Sequence, residues 1–454
     1  MHKKILVIAP RDCLKSFDES VCESNVDELI GGNSGNSIFW FSIQKLLLAE
    51  GVESHVISLP QCANDVDRIN NEYSVAVMCP ANALNYDFRD NLSFMAETFS
   101  RFKIPIVVIG LGAQSSYNYD MSFLDAIGDR VKLFVRAVLN TGGAIECRGQ
   151  FTGEVLERCG FRSNSDYEVI GCPSVLIYGQ NLKITKDKAI GEAIVPAFNG
   201  PEIIDRRNFS RLLQKYPMSM FISQDKAFPL LFGTEGGETA IASLMGTSLP
   251  VYADLAKNGR LKMFFDLQPW SDALKEAGVK FVVGTRIHGN IVGILSGIPA
   301  YIWAKDSRVR EMAEFFCLPH EKLPSRFSLT PDLDKLYCKA DYSEFNKMLP
   351  QHFVCFKKFM NTHGLPWGED FSYIDSVVRA KLFRAPAEIE LERRRSIICA
   401  AKNALNDRNG QRMWLKIQKT LYRTMSVFIL NRQKRKEFRR RHFSKGVNSN
   451  EQAH

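Results

Sequence analysis

The chain has 454 residues, 45% of them hydrophobic and 24% charged, with 30 Gly and 18 Pro, a globular composition that excludes intrinsic disorder and fibrous repeats and suits two or three domains. A chain of this length buries most of its apolar surface without disulfides or metals. The formal charge of +9 raises nucleic acid as a partner, yet residues 385–454 hold 17 Lys and Arg against 6 Asp and Glu, so the body before them is near neutral and the basic character belongs to a C-terminal appendage.

Short apolar runs recur along the body, at Ile5 to Ala9, His55 to Leu59, Val75 to Cys79, Ile104 to Gly110 and Leu133 to Val135. Continuous Val and Ile runs separated by helix-length segments are the pattern of a parallel sheet covered on both faces. After Gly171-Cys172-Pro173-Ser174 a second set follows, at Ala193 to Pro196, Met218 to Ser223, Pro250 to Tyr252, Lys280 to Val283 and Pro299 to Trp303. The predicted class is α/β with two Rossmann-like domains facing a cleft: residues 1–175, then residues 176–384 with closing helices. Tyr342 to Arg384 reads as helical, with Phe345, Met348, Phe353, Phe356 and Phe359 as a core stripe. Residues 385–454 read as a basic, partly amphipathic tail. Trp414, Ile417, Leu421, Met425 and Phe428 recur at three- and four-residue steps ahead of the basic cluster Arg432 to Arg441, which suits an anionic membrane surface or a packed helix. Nucleic acid is not predicted as a partner.

Eleven cysteines, an odd number, show no C-x-x-C pair and no histidine at zinc spacing, and read as free, mostly buried thiols of a reducing compartment. No metal is predicted. The first apolar run is too short for a signal-peptide core, and no stretch reaches the roughly 20 residues that span a bilayer. The expected location is cytoplasmic, with a peripheral position on the inner face of the membrane as the variant.

Three glycine-bearing loops could carry chemistry. Gly31-Gly32-Asn33-Ser34-Gly35-Asn36 precedes an apolar helix starting near Ser37; it reads equally as an anion-binding helix entry and as a tight connection, and it is neither a Walker loop nor a dinucleotide fingerprint. Gly110-Leu111-Gly112 follows a strand, and Arg148 in Cys147-Arg148-Gly149 stands before a helix, where a guanidinium receives anions or simply lies on the surface. The most informative stretch is Val282-Val283-Gly284-Thr285-Arg286-Ile287-His288-Gly289. Alternation along an extended segment would send Arg286 and His288 to one side. Lys305 and Arg308 follow the next strand, and these cations without carboxylate partners point to a ligand bearing phosphate and carboxylate.

The ordered motifs N-x-G-N at Asn33 to Asn36, I-G-L-G at Ile109 to Gly112, C-R-G-x-x-T at Cys147 to Thr152, I-G-C-P-S at Ile170 to Ser174, T-R-I-H-G at Thr285 to Gly289, G-I-P at Gly297 to Pro299 and D-S-R at Asp306 to Arg308 resemble the polysaccharide pyruvyl transferases over roughly residues 1–330. Asn36 stands where many members have Asp, and Arg308 where Lys is common. The resemblance implies a GT-B-like fold, and transfer of the pyruvyl carbons of phosphoenolpyruvate onto two sugar hydroxyls as a cyclic ketal, with phosphate release, in surface or exopolysaccharide biosynthesis. It implies phosphoenolpyruvate as donor with no further cofactor, and a sugar or lipid-linked oligosaccharide as acceptor. By motif, His288 and Arg286 are the catalytic candidates, and Arg148, Arg286, Arg308, Asn33, Gly35, Asn36 and Gly112 the substrate-binding ones. The competing readings are a GT-B nucleotide-sugar glycosyltransferase and a non-catalytic, membrane-associated scaffold of a polysaccharide assembly system.

Overall fold

The computed structural model describes residues 3–15, 29–187, 194–204, 209–225, 251–252, 254–255, 258–324 and 331–367. The basic tail at 385–454 lies outside the described residues. Both sheets belong to one compact unit formed by Met1–Asp225 and Arg260–Ile389.

The first sheet contains β1 (Lys3–Ile8), β2 (Val52–Ile57), β3 (Val75–Met78), β4 (Ile106–Leu111), β5 (Ala144–Cys147) and β6 (Glu168–Val169), in the order β2-β1-β3-β4-β5-β6, with every pair parallel. The second contains β7 (Pro196–Asn199), β8 (Met220–Ser223), β9 (Leu261–Met263), β10 (Phe281–Gly284), β11 (Ala300–Ala304) and β12 (His320–Lys322), in the order β12-β11-β10-β7-β8-β9, again all parallel. The class is therefore α/β with two Rossmann-like sheets. Every residue of β3, β4, β10 and β11 is buried, which is why their sequences are apolar without alternation. Strand order reverses between β1 and β3 and again between β7 and β10. In open parallel sheets ligands bind beyond the carboxyl ends of strands at such a reversal.

The helices that bear on the site are α1 (Gly35–Leu46), α2 (Leu124–Asn140), α3 (Gln150–Arg158), α4 (Ile287–Leu295), α5 (Ser307–Phe315) and α6 (Ser343–Thr362). Two predicted strands are corrected. Leu133 to Val135 lies inside α2, whose inner face is Ile127, Val131, Phe134, Val135 and Val138 while Leu133 stays 56% exposed; the run is the crossing of a helical stripe with one exposed leucine. Val251 and Tyr252 are helical. The strand expected at Ala193 to Pro196 instead spans Pro196–Asn199, placing Asn199 at its carboxyl end. On α6, Phe345, Phe353, Phe356 and Phe359 are buried as the stripe predicts while Met348 is half-buried, and residues 368–384 of the stretch expected to be helical lie outside the described residues. Among the described residues no helix is long and apolar enough to cross a membrane.

Candidate active site

The first sheet supplies Arg148, one residue beyond β5 and just ahead of α3. It is 1% exposed, not a surface arginine. Its Nε and Nη2 donate to the Gly110 carbonyl at 3.3 and 3.1 Å, and its guanidinium lies 5.4 Å from the centre of the Phe39 ring on α1. Gly112 lets it approach: a Cβ there would collide with the Ala81 carbonyl and sit 2.7 Å from Arg148 Nε. The loop before α1 is self-bonded. Asn33 Oδ1 accepts from the Gly35 N–H at 2.8 Å, and Asn36 Nδ2 donates to the Ile30 and Gly31 carbonyls at 3.1 and 2.9 Å. Both asparagines thus shape the turn, and their side chains hold the entry of α1.

The second sheet supplies the rest. Arg286 is the N-cap of α4, with extended backbone, and its N–H donates to Asn199 Oδ1 at 3.0 Å. His288 lies in the first turn of α4, so the two side chains do not share a face by strand alternation. The chain turns helical at Ile287, where Asn290 Nδ2 donates to the Gly284 and Arg286 carbonyls. Arg308 occupies the first turn of α5 behind its N-cap Asp306, whose carboxylate accepts from the Val309 N–H at 3.0 Å.

The cations are not without carboxylates, contrary to the sequence reading. Arg286 Nη2 donates to Asp225, Arg308 Nη2 to Asp306 at 3.4 Å, and Lys305 to Glu202 at 2.6 Å. These partners lie far off in sequence or in a cap, where no spacing rule exposes them. Burial pushes Glu202 up, but Arg286, Lys305 and the bonds from Lys305 and Thr285 overcome it and hold the carboxylate down at about 2. Arg148 makes no carboxylate hydrogen bond among the described residues.

His288 is 6% exposed, and its Nε2 has no hydrogen-bond partner among the described residues. Burial first, then Arg148 and Arg308, pull the imidazolium down to about 3. The charges of Arg148 and Arg308 therefore both act on His288, and the imidazole is neutral near pH 7. Arg308 itself is lowered by burial and by its neighbours Arg286 and Arg148, against Asp306. Cations in the first turn of a helix oppose its dipole. Half-buried Arg308 at such a position and buried Arg148, both acting on one neutral histidine, make a site whose balance improves when an anion arrives.

The loops of the two sheets are tied together around this point. The Ser34 N–H donates to the Gln224 carbonyl at 2.8 Å, and the Ser307 N–H to the Ser115 carbonyl at 3.2 Å, while Ser307 Oγ accepts from the Ser115 N–H at 2.8 Å. Arg11 pairs with Asp266 at 2.8 Å. Glu311 on α5 accepts from the Thr152 N–H and hydroxyl of α3 at 3.0 and 2.9 Å. Burial raises Glu311 to about 7 against the pull of Arg148 and Thr152, and raises Glu146 to about 8 against the Gly110 N–H and Arg148. Sequence reading missed Glu202, Asp225, Gln224 and Glu311. Only the N-cap role of Asp306 has a local signal, an Asp ahead of a helical run.

A family model described as polysaccharide pyruvyl transferase matches residues 33–304. No curated protein matches the chain in sequence. Among solved structures, the chain is similar to S. aureus MnaA with UDP at 10% identity, with 81% of this chain and 99% of that one covered and a TM-score of 0.44. It is also similar to a Methanocaldococcus jannaschii UDP-GlcNAc 2-epimerase, solved with UDP-GlcNAc and UDP, at 10% identity, covering 80% and 100% with a TM-score of 0.40. A Neisseria meningitidis UDP-GlcNAc 2-epimerase gives 10%, 86%, 99% and 0.35 on the same measures. The family match contains Asn33, Gly35, Asn36, Gly112, Arg148, Arg286 and His288 and stops just short of Arg308. Spanning more than half of the chain and holding the buried histidine with two of its arginines, it shows that the chain belongs to the polysaccharide pyruvyl transferase family.

Proposed function

We propose that the protein transfers the pyruvyl carbons of phosphoenolpyruvate to two hydroxyls of a sugar, forming a cyclic ketal and releasing phosphate, as a step in surface or exopolysaccharide biosynthesis. The observation that carries the reading is the neutral, buried His288 flanked by Arg148 and Arg308, with Arg286 capping the same helix. Phosphoenolpyruvate is a compact trianion, and the guanidiniums of buried Arg148 and half-buried Arg308 beyond the strand ends suit its phosphate.

The reaction needs a proton at the vinyl carbon, attack of one sugar hydroxyl at C2, and attack of the second hydroxyl as the C–O bond to phosphate breaks. Of the two hydroxyl protons, one ends in the new methyl group and one on phosphate. His288 starts neutral and is ready to accept a proton. Phosphate held against Arg148 and Arg308 offsets the charge that keeps the imidazolium down, so the proton is retained long enough to be delivered. The arginines also stabilise the departing phosphate.

The test is incubation of purified protein with phosphoenolpyruvate and model glycosides carrying neighbouring hydroxyls. The expected outcome is phosphate release together with a sugar heavier by one pyruvate less one water. Phosphate release without that gain, or consumption of a nucleotide sugar in its place, contradicts the reading.

A further inference from the structure

Two buried amides beside His288 have hydrogen-bonding capacity that no described residue consumes. Asn199 ends β7 and Gln224 follows β8, at the strand reversal of the second sheet where β10 delivers Arg286 and His288. They are 1% and 2% exposed, and Asn199 Nδ2 and Gln224 Nε2 have no partner among the described residues. A buried, unpaired donor carries its full desolvation cost. Such donors are rare in native folds away from functional sites.

Both nitrogens border the same place. A Cβ added to Gly289, in the first turn of α4, would lie 2.6 Å from Gln224 Nε2 and 3.0 Å from Asn199 Nδ2. On the other side of the Gln224 amide is Gly35 at the start of α1, where a Cβ would lie 2.5 Å from Gln224 Oε1 and 3.1 Å from His288 Cβ. The two amides therefore sit at the N-terminus of α4, whose first N–H groups have no partner inside the helix. Asn199 Oδ1 is already occupied by the Arg286 N–H, which fixes the amide so that its nitrogen is the free end.

This station offers donors without formal charge: two amide nitrogens and a helix N-terminus. Phosphate, the more highly charged end of phosphoenolpyruvate, suits the guanidiniums; a carboxylate suits paired neutral donors at a helix start. We propose that Asn199 and Gln224, with the first turn of α4, hold the carboxylate of the donor, leaving Arg148 and Arg308 to its phosphate and placing C2 and the vinyl carbon next to His288. The proposal rests on phosphoenolpyruvate being the donor.

The experiment is calorimetric titration of wild type, Gln224→Met and Gln224→Glu with phosphoenolpyruvate and, separately, with inorganic phosphate, which lacks the carboxylate and also reports that the site is folded. Gln224→Met removes the donor at similar size, and phosphoenolpyruvate affinity is expected to fall about 10-fold. Gln224→Glu sets a carboxylate against a carboxylate, and the loss should reach about 100-fold. Phosphate affinity should stay within about 2-fold in Gln224→Met. Equal losses for both ligands in Gln224→Met, or unchanged phosphoenolpyruvate affinity in both variants, would overturn the assignment. Intact phosphoenolpyruvate binding with a raised KM for the glycoside would give the amides to the acceptor and also overturn it. Wild type that binds phosphate but not phosphoenolpyruvate would defeat the donor reading itself, a result separate from any variant.

Discussion

At His288 burial and positive neighbours act in the same direction. Its folded value of about 3 lies below the ordinary 6.5, so its contribution to stability is present above pH 6.5 and is lost as pH falls toward 3. Chemical denaturation of wild type and His288→Asn across that window should show a shallower acid loss in the variant; parallel curves would remove His288 as the cause. In turnover, His288→Ala should lower kcat about 10²-fold or more with a smaller effect on phosphoenolpyruvate affinity, whereas Arg308→Ala should weaken donor binding by about 10-fold or more. Near-normal kcat in His288→Ala contradicts the acid/base assignment. Arg286, His288, Arg308 and Arg148 were legible in the sequence because each adjoins a glycine or cap where an apolar strand meets a helix. Asp225 and Glu202 were not, because the pairings they make with Arg286 and Lys305 close through the tertiary fold.

Between elements, Glu311 is the tie that matters most to the site, since it fastens α5, which carries Arg308, to the first turn of α3, which follows Arg148. Its folded value of about 7 lies above the ordinary 4.5. That contribution is therefore present below pH 4.5 and is lost as pH rises through about 7, the opposite slope to His288. Glu311→Gln, which stays neutral, should flatten the loss above pH 4.5, while Glu311→Ala leaves the Thr152 N–H unpaired and should cost about 1–3 kcal/mol. Melting temperatures across pH 5 to 8 check both; an unchanged pH profile in Glu311→Gln contradicts the role. The strands that sequence revealed, β1, β3, β8, β10 and β11, are buried along most of their length. The strands it missed are β5, four buried residues whose apolar run is broken by Glu146, and three short or polar edges: β6 is Glu168–Val169, β12 is His320–Lys322, and β9 contains the half-buried Lys262. Edge strands such as these receive few apolar contacts, so their sequences carry little strand signal.

Across the whole molecule, thiol burial gives a direct check on the fold. Cys13, Cys62, Cys79, Cys147, Cys159 and Cys172 are buried and free, while Cys317 and Cys338 are exposed. Burial pushes Cys13 and Cys62 up to about 12, so these thiols are both hidden and protonated at neutral pH. Alkylation of native protein, mapped by peptide mass, should label Cys317 and Cys338 rapidly and the six buried cysteines only after unfolding. Fast native labelling of Cys147 or Cys172, which flank Arg148 and the loop after β6, contradicts this packing. In the proposed reaction the buried imidazole of His288, acted on by Arg148 and Arg308, moves a proton onto an anionic enol ester. The most direct measurement of that step is the reaction of phosphoenolpyruvate with a model glycoside in deuterated water, followed by NMR of the product. A ketal methyl group carrying one solvent deuterium is expected, formed by wild type and lost with His288→Ala; a product without that methyl group, or deuterium uptake unaffected by the substitution, would contradict the role proposed for His288.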